Sequence, residues 1–239
     1  KTISGRCLFV MDGKNADAYI LANKAGELYL VDAKAKGISV TELVTVDKTR
    51  PSIELNLDNV EAQLLPGSEN NQEVINKVLD AGRLMLAADS IGASQVMLNK
   101  SVAYSLERKQ FGRVIGSFQA VKHMCAEMAA ELEPCHSMIW HASHCYDHDP
   151  SQARLMACHT KAHVSEVSKQ ISKTATEVHG GMGFTDELGL HYWFKRIGLN
   201  RQLLGSPELV REEAARIQNF DQSPAGGQSK KEVGNPLLV

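Results

Sequence analysis

Two stretches of the chain carry residue types and spacings that can hold an anion. The first, ERKQFGRVIGSFQAVKHMCAEMAAELE from Glu107 to Glu133, sets Arg108, Lys109 and Arg113 around Phe111 and Gly112, and passes through Gly116 into an apolar helical pattern. A helix start offers unpaired backbone N–H groups and partial positive charge, and a guanidinium beside it can grip a phosphate through two parallel bonds. The second, EVHGGMGF from Glu177 to Phe184, supplies Gly180, Gly181 and Gly183. These glycines suit a helix C-cap and turn, a role compatible with phosphate contact.

Nine histidines raise the separate question of a metal. His141-x-x-His144 and His159-x-x-x-His163 have helical i, i+3 and i, i+4 spacing, and Glu133-x-x-His136 has the spacing used in di-iron bundles. A di-iron centre needs a second such pair and carboxylates on two further helices, and Pro134 interrupts the one Glu-x-x-His. The expectation is histidines on solvated helix faces and no metal.

The elements that must position these residues can be read from the pattern. The first 65 or so residues form short alternating runs, Arg6–Met11, Ala18–Asn23, Glu27–Asp32, Ile38–Val46 and Ser52–Val60, with turn signals at Asp12-Gly13, Ala25-Gly26 and Lys36-Gly37. Strands without intervening helices predict an antiparallel sheet. After Pro66-Gly67-Ser68-Glu69-Asn70-Asn71 the apolar residues recur at three- and four-residue steps. The steps predict helices over 72–106, 118–146, 152–178, 187–204 and, from a Ser206 cap with Pro207 in the first turn, to about 218. Long helices with short connections make an antiparallel bundle. The fold class is therefore α+β: residues 1–65 a β domain, 66–220 a helical bundle, and 221–239 a mobile tail with little apolar content.

Composition excludes several classes of function. The 239 residues carry a net charge of −2, and the pI is near 6.5, so no whole-chain field favours nucleic acid or an anionic membrane. No apolar run approaches the roughly 20 residues of a bilayer span. Five cysteines, Cys7, Cys125, Cys135, Cys145 and Cys158, are odd in number and mostly in helical patterns, which predicts a reducing, cytoplasmic setting rather than a disulfide framework.

Arg108-x-Gln110-Phe111-Gly112, then Phe118-Gln119, then Gly180-Gly181-x-Gly183-Phe184 together resemble the C-terminal signature of the acyl-CoA dehydrogenase family, and ISGRCLFVMDGKNADAYIL resembles its middle β domain. The resemblance covers nearly the whole chain. It implies a tetrameric flavoprotein in which Arg108, Phe111 and Gln119, with the turn at Gly180 and Gly181, hold the ADP half of an FAD bound mainly by a neighbouring subunit. Glu177 stands where the family usually has Gln, and a carboxylate near a pyrophosphate is unfavourable unless protonated or paired. The resemblance also implies that the chain begins within the β domain, with an all-helical domain ahead of it.

In that family a carboxylate removes the α proton of an acyl-CoA while hydride passes from the β carbon to the flavin, and electrons continue to an electron-transfer flavoprotein. The base is usually a Glu just before a Gly-Thr/Ser pair; here Leu204 precedes Gly205-Ser206. The alternative is a Glu before an Arg on the first long helix; here Gly82 precedes Arg83, an arginine that the resemblance places in the acyl pocket. Neither base is present. Three expectations follow: a base-lacking subunit of a heterotetramer; an active homotetramer with a displaced base, Glu208 ahead of Asp186 and Glu187; or a relative with other chemistry, such as a flavin-dependent monooxygenase or a structural subunit. The activity expected is oxidation of an acyl-CoA in lipid degradation and fatty acid metabolism.

Overall fold

The computed structural model describes residues 1–69 and 72–220. The expected mobile tail at 221–239 lies outside the described residues.

The first elements are β1 (Thr2–Met11), β2 (Ala18–Ala22), β3 (Leu28–Asp32), β4 (Ile38–Leu43), β5 (Ser52–Glu61) and β6 (Gln63–Leu64). They form two antiparallel sheets of three strands, in the orders β1-β5-β4 and β2-β3-β6. Register runs from Thr2↔Glu61 to Met11↔Ser52 in one pair and from Ile38↔Leu57 to Leu43↔Ser52 in the other. The β1–β5 ladder breaks between Cys7 and Val10, where Phe9 takes a left-handed φ of 56°, as a bulge does when it turns a side chain away from its alternating face. Ile53, Leu55, Leu57 and Val60 from one sheet meet Tyr19, Tyr29 and Val31 from the other in a shared core. The predicted fourth strand overshoots. β4 ends at Leu43, Val44 and Val46 are exposed, and Asp47 closes a turn by accepting from the Thr49 N–H and hydroxyl. β-branched residues alone do not make a strand where they leave the sheet.

Helices follow: α1 (Gln72–Glu107), α2 (Gln119–His148), α3 (Pro150–His179), α4 (Leu190–Gln202) and α5 (Pro207–Ile217), with a small hairpin, β7 (Lys109–Gln110) and β8 (Arg113–Val114), between α1 and α2. The first compact unit ends at Val78 and the second begins at Leu79. Within the second unit Ile91, Met97, Met128, Leu132, Val164, Ile171 and Ile197 build one core from α1, α2, α3 and α4. The predicted break at 147–150 shrinks to Asp149, which caps α3 by accepting from the Ser151 N–H at 3.2 Å, with Pro150 in the first turn. α4 starts later than predicted, after Gly189 at φ 63°, because Glu187 and its neighbours form a turn. Pro134 lies inside α2 on its exposed side.

Candidate functional site

The hairpin β7–β8 lifts its tip away from the bundle. Phe111, at φ 53°, is 92% exposed and meets Phe118 edge-on at 6.1 Å, while the Arg113 guanidinium lies 3.9 Å over the Phe118 ring. The Arg113 charge is thereby held by an aromatic face. Arg108 is exposed and has no ion-pair partner among the described residues, so its guanidinium is available. Gln119 is the exposed first residue of α2, whose N-cap, Phe118, offers no side-chain hydrogen bond. A thirty-residue helix thus starts with its N–H groups uncapped beside two arginines.

The glycine turn lies at the end of α3. Gly180 has φ 57°, and a Cβ at Gly180 or Gly181 would meet nothing within 4 Å. Both glycines therefore border open space, and Glu177 one turn earlier is exposed with no ion-pair partner among the described residues. The uncapped helix start, the free guanidinium and the open glycine turn have the donor chemistry for a pyrophosphate, so the residues present fit an FAD.

The two positions where the resemblance expects a base lie against each other. Leu204, at φ 56°, projects onto α1 so closely that a Cβ on Gly82 would overlap its Cδ1. Arg83 beside it is 0% exposed. Its Nε donates to Leu204 O at 3.0 Å, Nη1 to Asp80 Oδ1 at 3.3 Å and to Cys158 Sγ at 3.4 Å, and Nη2 to Glu213 Oε2 at 2.7 Å. Burial opposes the charge, but the Glu213 bond, Cys158 and Asp80 outweigh it, and the Arg83 pKa is raised. A side chain so enclosed offers a ligand no surface. The expectation that Arg83 contacts substrate therefore gives way to a structural role, tying α1 to α3, α5 and the turn that carries Leu204.

That turn has a second anchor. Lys161, 1% exposed on α3, donates Nζ to the carbonyls of Asn200 and Arg201 at the end of α4 and to Ser165 Oγ, and burial lowers its pKa to about 8. Asn200 in turn donates to Asp89 Oδ2 at 2.6 Å and Ser90 Oγ at 3.1 Å.

Of the displaced-base candidates, Glu208 is exposed in the first turn of α5 and pairs with Arg201 at 2.7 Å. The Ser206 hydroxyl, its own backbone N–H and Arg201 hold its pKa down to about 2. A carboxylate that acidic is a poor proton acceptor. Asp186 is 99% exposed and faces His191 Nε2 at 3.4 Å, and Glu187 is exposed. Among the described residues no group of three or more His, Cys, Asp or Glu could hold a metal ion. His144 and His148 pack ring to ring at 4.8 Å on the outside of α2.

The sequence pattern missed Glu213 as the main partner of Arg83, because 130 residues separate them. It also missed the stack of Tyr104 on His179, whose ring centroids are 4.6 Å apart. Neither has a local spacing signal.

The family model for the acyl-CoA dehydrogenase C-terminal domain matches residues 72–218, and the chain belongs to that family. Among its relatives, acyl-CoA dehydrogenase IpdE2 of Mycolicibacterium smegmatis is 29% identical over 210 residues, 88% of this chain and 60% of that protein. The caffeyl-CoA reductase-Etf complex subunit CarC of Acetobacterium woodii is 32% identical over 168 residues, 66% of this chain and 43% of that protein. Among solved structures, a variant of the Tcur3481-Tcur3483 steroid ACAD superposes with a TM-score of 0.81 at 26% identity, over 91% of this chain and 59% of that one. The chain spans at most about 60% of the length of these relatives. Among the described residues no helix is long and apolar enough to cross a membrane.

Proposed function

We propose that the chain is a subunit of an acyl-CoA dehydrogenase that completes the FAD site of an unlike partner chain and contributes no α-proton base of its own. The observation that carries this reading is the contact of Leu204 with Gly82. One apolar packing contact fills both positions where a base would stand, while the anion-holding residues on the same bundle stay open. An enzyme that had lost its function outright would have no need to keep the second set while closing the first.

Arg108 and the uncapped start of α2 bind the pyrophosphate, Phe111 and Gln119 flank the adenosine, and Gly180 and Gly181 let backbone N–H groups approach it. Glu177 at the rim limits how closely that turn takes up negative charge. When bound, FAD accepts the hydride that leaves the β carbon of the acyl-CoA. The base for the α proton comes from the partner chain. The steroid ACAD carries a paired designation, Tcur3481-Tcur3483, which supports an unlike partner chain. CarC is named as part of an Etf complex, which supports an electron-transfer flavoprotein as acceptor. Five free cysteines, three of them buried, fit a reducing compartment. Residues 1–65 are then part of the middle β domain and 66–220 the helical domain.

The test is Arg108→Ala in the assembled protein. Flavin content falls if this face holds FAD, and undiminished flavin overturns the assignment.

A further inference from the structure

The two halves of the anion-holding face come from distant parts of the chain, and one buried contact joins them. Tyr104 lies in the last turn of α1, and its carbonyl accepts the Arg108 N–H at 2.9 Å, so the β7–β8 hairpin springs directly from it; the Ile115 N–H returns to Arg108 O at 2.8 Å. His179 is the last residue of α3 and precedes Gly180. Its ring, 4% exposed, stacks on Tyr104 with 28° between the planes. Nδ1–H donates to Ala175 O at 2.7 Å, which fixes the tilt of the ring, and a Cβ on Gly183 would overlap Thr176 O and crowd the His179 Cβ.

We propose that Tyr104 and His179 are positioning residues, a ring pair that holds the hairpin carrying Arg108 and Phe111 at a fixed separation from the glycine turn, so that both halves close on one diphosphate-containing cofactor. The inference rests on the FAD reading above and adds the part that sets its geometry. A ligand gripped from two loops gains from both only when their spacing matches it, and a mismatch far from the contact is felt in affinity. Burial, and then the Lys100 charge on α1, lower the His179 pKa against the pull of the Ala175 and Lys100 carbonyls. From α1 it is faced by Lys100 and Tyr104; the glycine turn Gly180–Phe184 carries no titratable group, and Lys173 and Glu177 on its own helix are exposed.

The experiment measures FAD affinity of the assembled protein by flavin fluorescence. The variants are Arg108→Ala, His179→Ala, Tyr104→Leu, the double His179→Ala/Tyr104→Leu, and His179→Phe. His179→Ala and Tyr104→Leu each loosen FAD by on the order of tenfold. The double variant loses no more than either alone. His179→Phe, which keeps a stacking ring, restores affinity, a result that a role in folding alone would not give. If Arg108→Ala loosens FAD while His179→Ala and Tyr104→Leu do not, or if their losses simply add, the positioning role is wrong. If Arg108→Ala also leaves affinity unchanged, the FAD reading itself fails and takes this inference with it. Should His179→Ala not assemble, Tyr104→Leu and His179→Phe decide alone.

Discussion

Leu204 occupies the space that a side chain on Gly82 would need. A Cβ built there would overlap Leu204 Cδ1 and lie 3.9 Å from Cγ. The leucine is held in place by its left-handed backbone, by Gly205 at φ 105°, and by the bond from Arg83 to its carbonyl. The two base positions therefore behave as one packed contact rather than two independent vacancies.

Gly82→Glu therefore fails to supply a base by simple substitution. The new side chain meets Leu204, and overpacking of this kind costs about 1–3 kcal/mol. Leu204→Ala in the same chain should recover most of the loss, and thermal melts of the two single variants and the double check it. Equal destabilisation with and without Leu204→Ala would show that the contact is not the cause.

Arg83 should prove structural. Arg83→Met removes a buried cation from beside Asp80 and from Glu213, which still bonds Arg154, and losing one partner of a buried pair costs about 3–5 kcal/mol. A drop in melting temperature on the order of 10 °C follows for a chain of this size. Replacing Glu213 with Gln should cost less in the Arg83→Met background than in the parent chain, since one of its two arginine partners is already gone and Arg154 remains.

Much of the local geometry around the candidate site was legible in the sequence, and what escaped has a common physical reason. The basic turn at Phe111 and Gly112, the helix that follows it and the glycine turn follow from local residue types, since turns, caps and amphipathic periods are written within a few residues. The absence of Glu at 82 and 204 was equally plain. That Leu204 fills the space beside Gly82, and that Arg83 bonds Leu204 O across 121 residues, depends on how α1, α4 and α5 pack, which no local pattern encodes. Arg83 is the clearest case: the resemblance places it in the acyl pocket, while the fold encloses it among Asp80, Cys158 and Glu213. The early end of β4 is a different case, since Val44 and Val46 have strand propensity but no neighbouring strand to pair with.

Lys161 gives stability a particular pH dependence. Burial lowers its pKa from 10.5 to about 8. Below about 8 both folded and unfolded chains carry the proton. Between 8 and 10.5 the unfolded chain binds more protons, so this group makes stability rise with pH and withholds that contribution as pH falls through 8. In denaturant titrations across that range, Lys161→Met should remove the rising component. An unchanged slope would mean that another group sets it.

Glu208 should be dispensable for proton abstraction. Held near pKa 2 by Ser206, its own backbone N–H and Arg201, it is poorly matched to the task. In the assembled enzyme Glu208→Gln should leave turnover within roughly twofold, against the 10²–10⁴ that a placed general base contributes. A loss in the latter range would reinstate it as the displaced base.

The most direct test of the base-lacking, partner-completing role is native mass and flavin absorbance of the chain, embedded in its full-length protein, produced alone and together with a second acyl-CoA dehydrogenase-like chain encoded beside it. The predicted result is a flavin-bearing tetramer of unlike chains that bleaches on adding an acyl-CoA, and no such species from the chain alone. A yellow homotetramer that bleaches with an acyl-CoA by itself would contradict it.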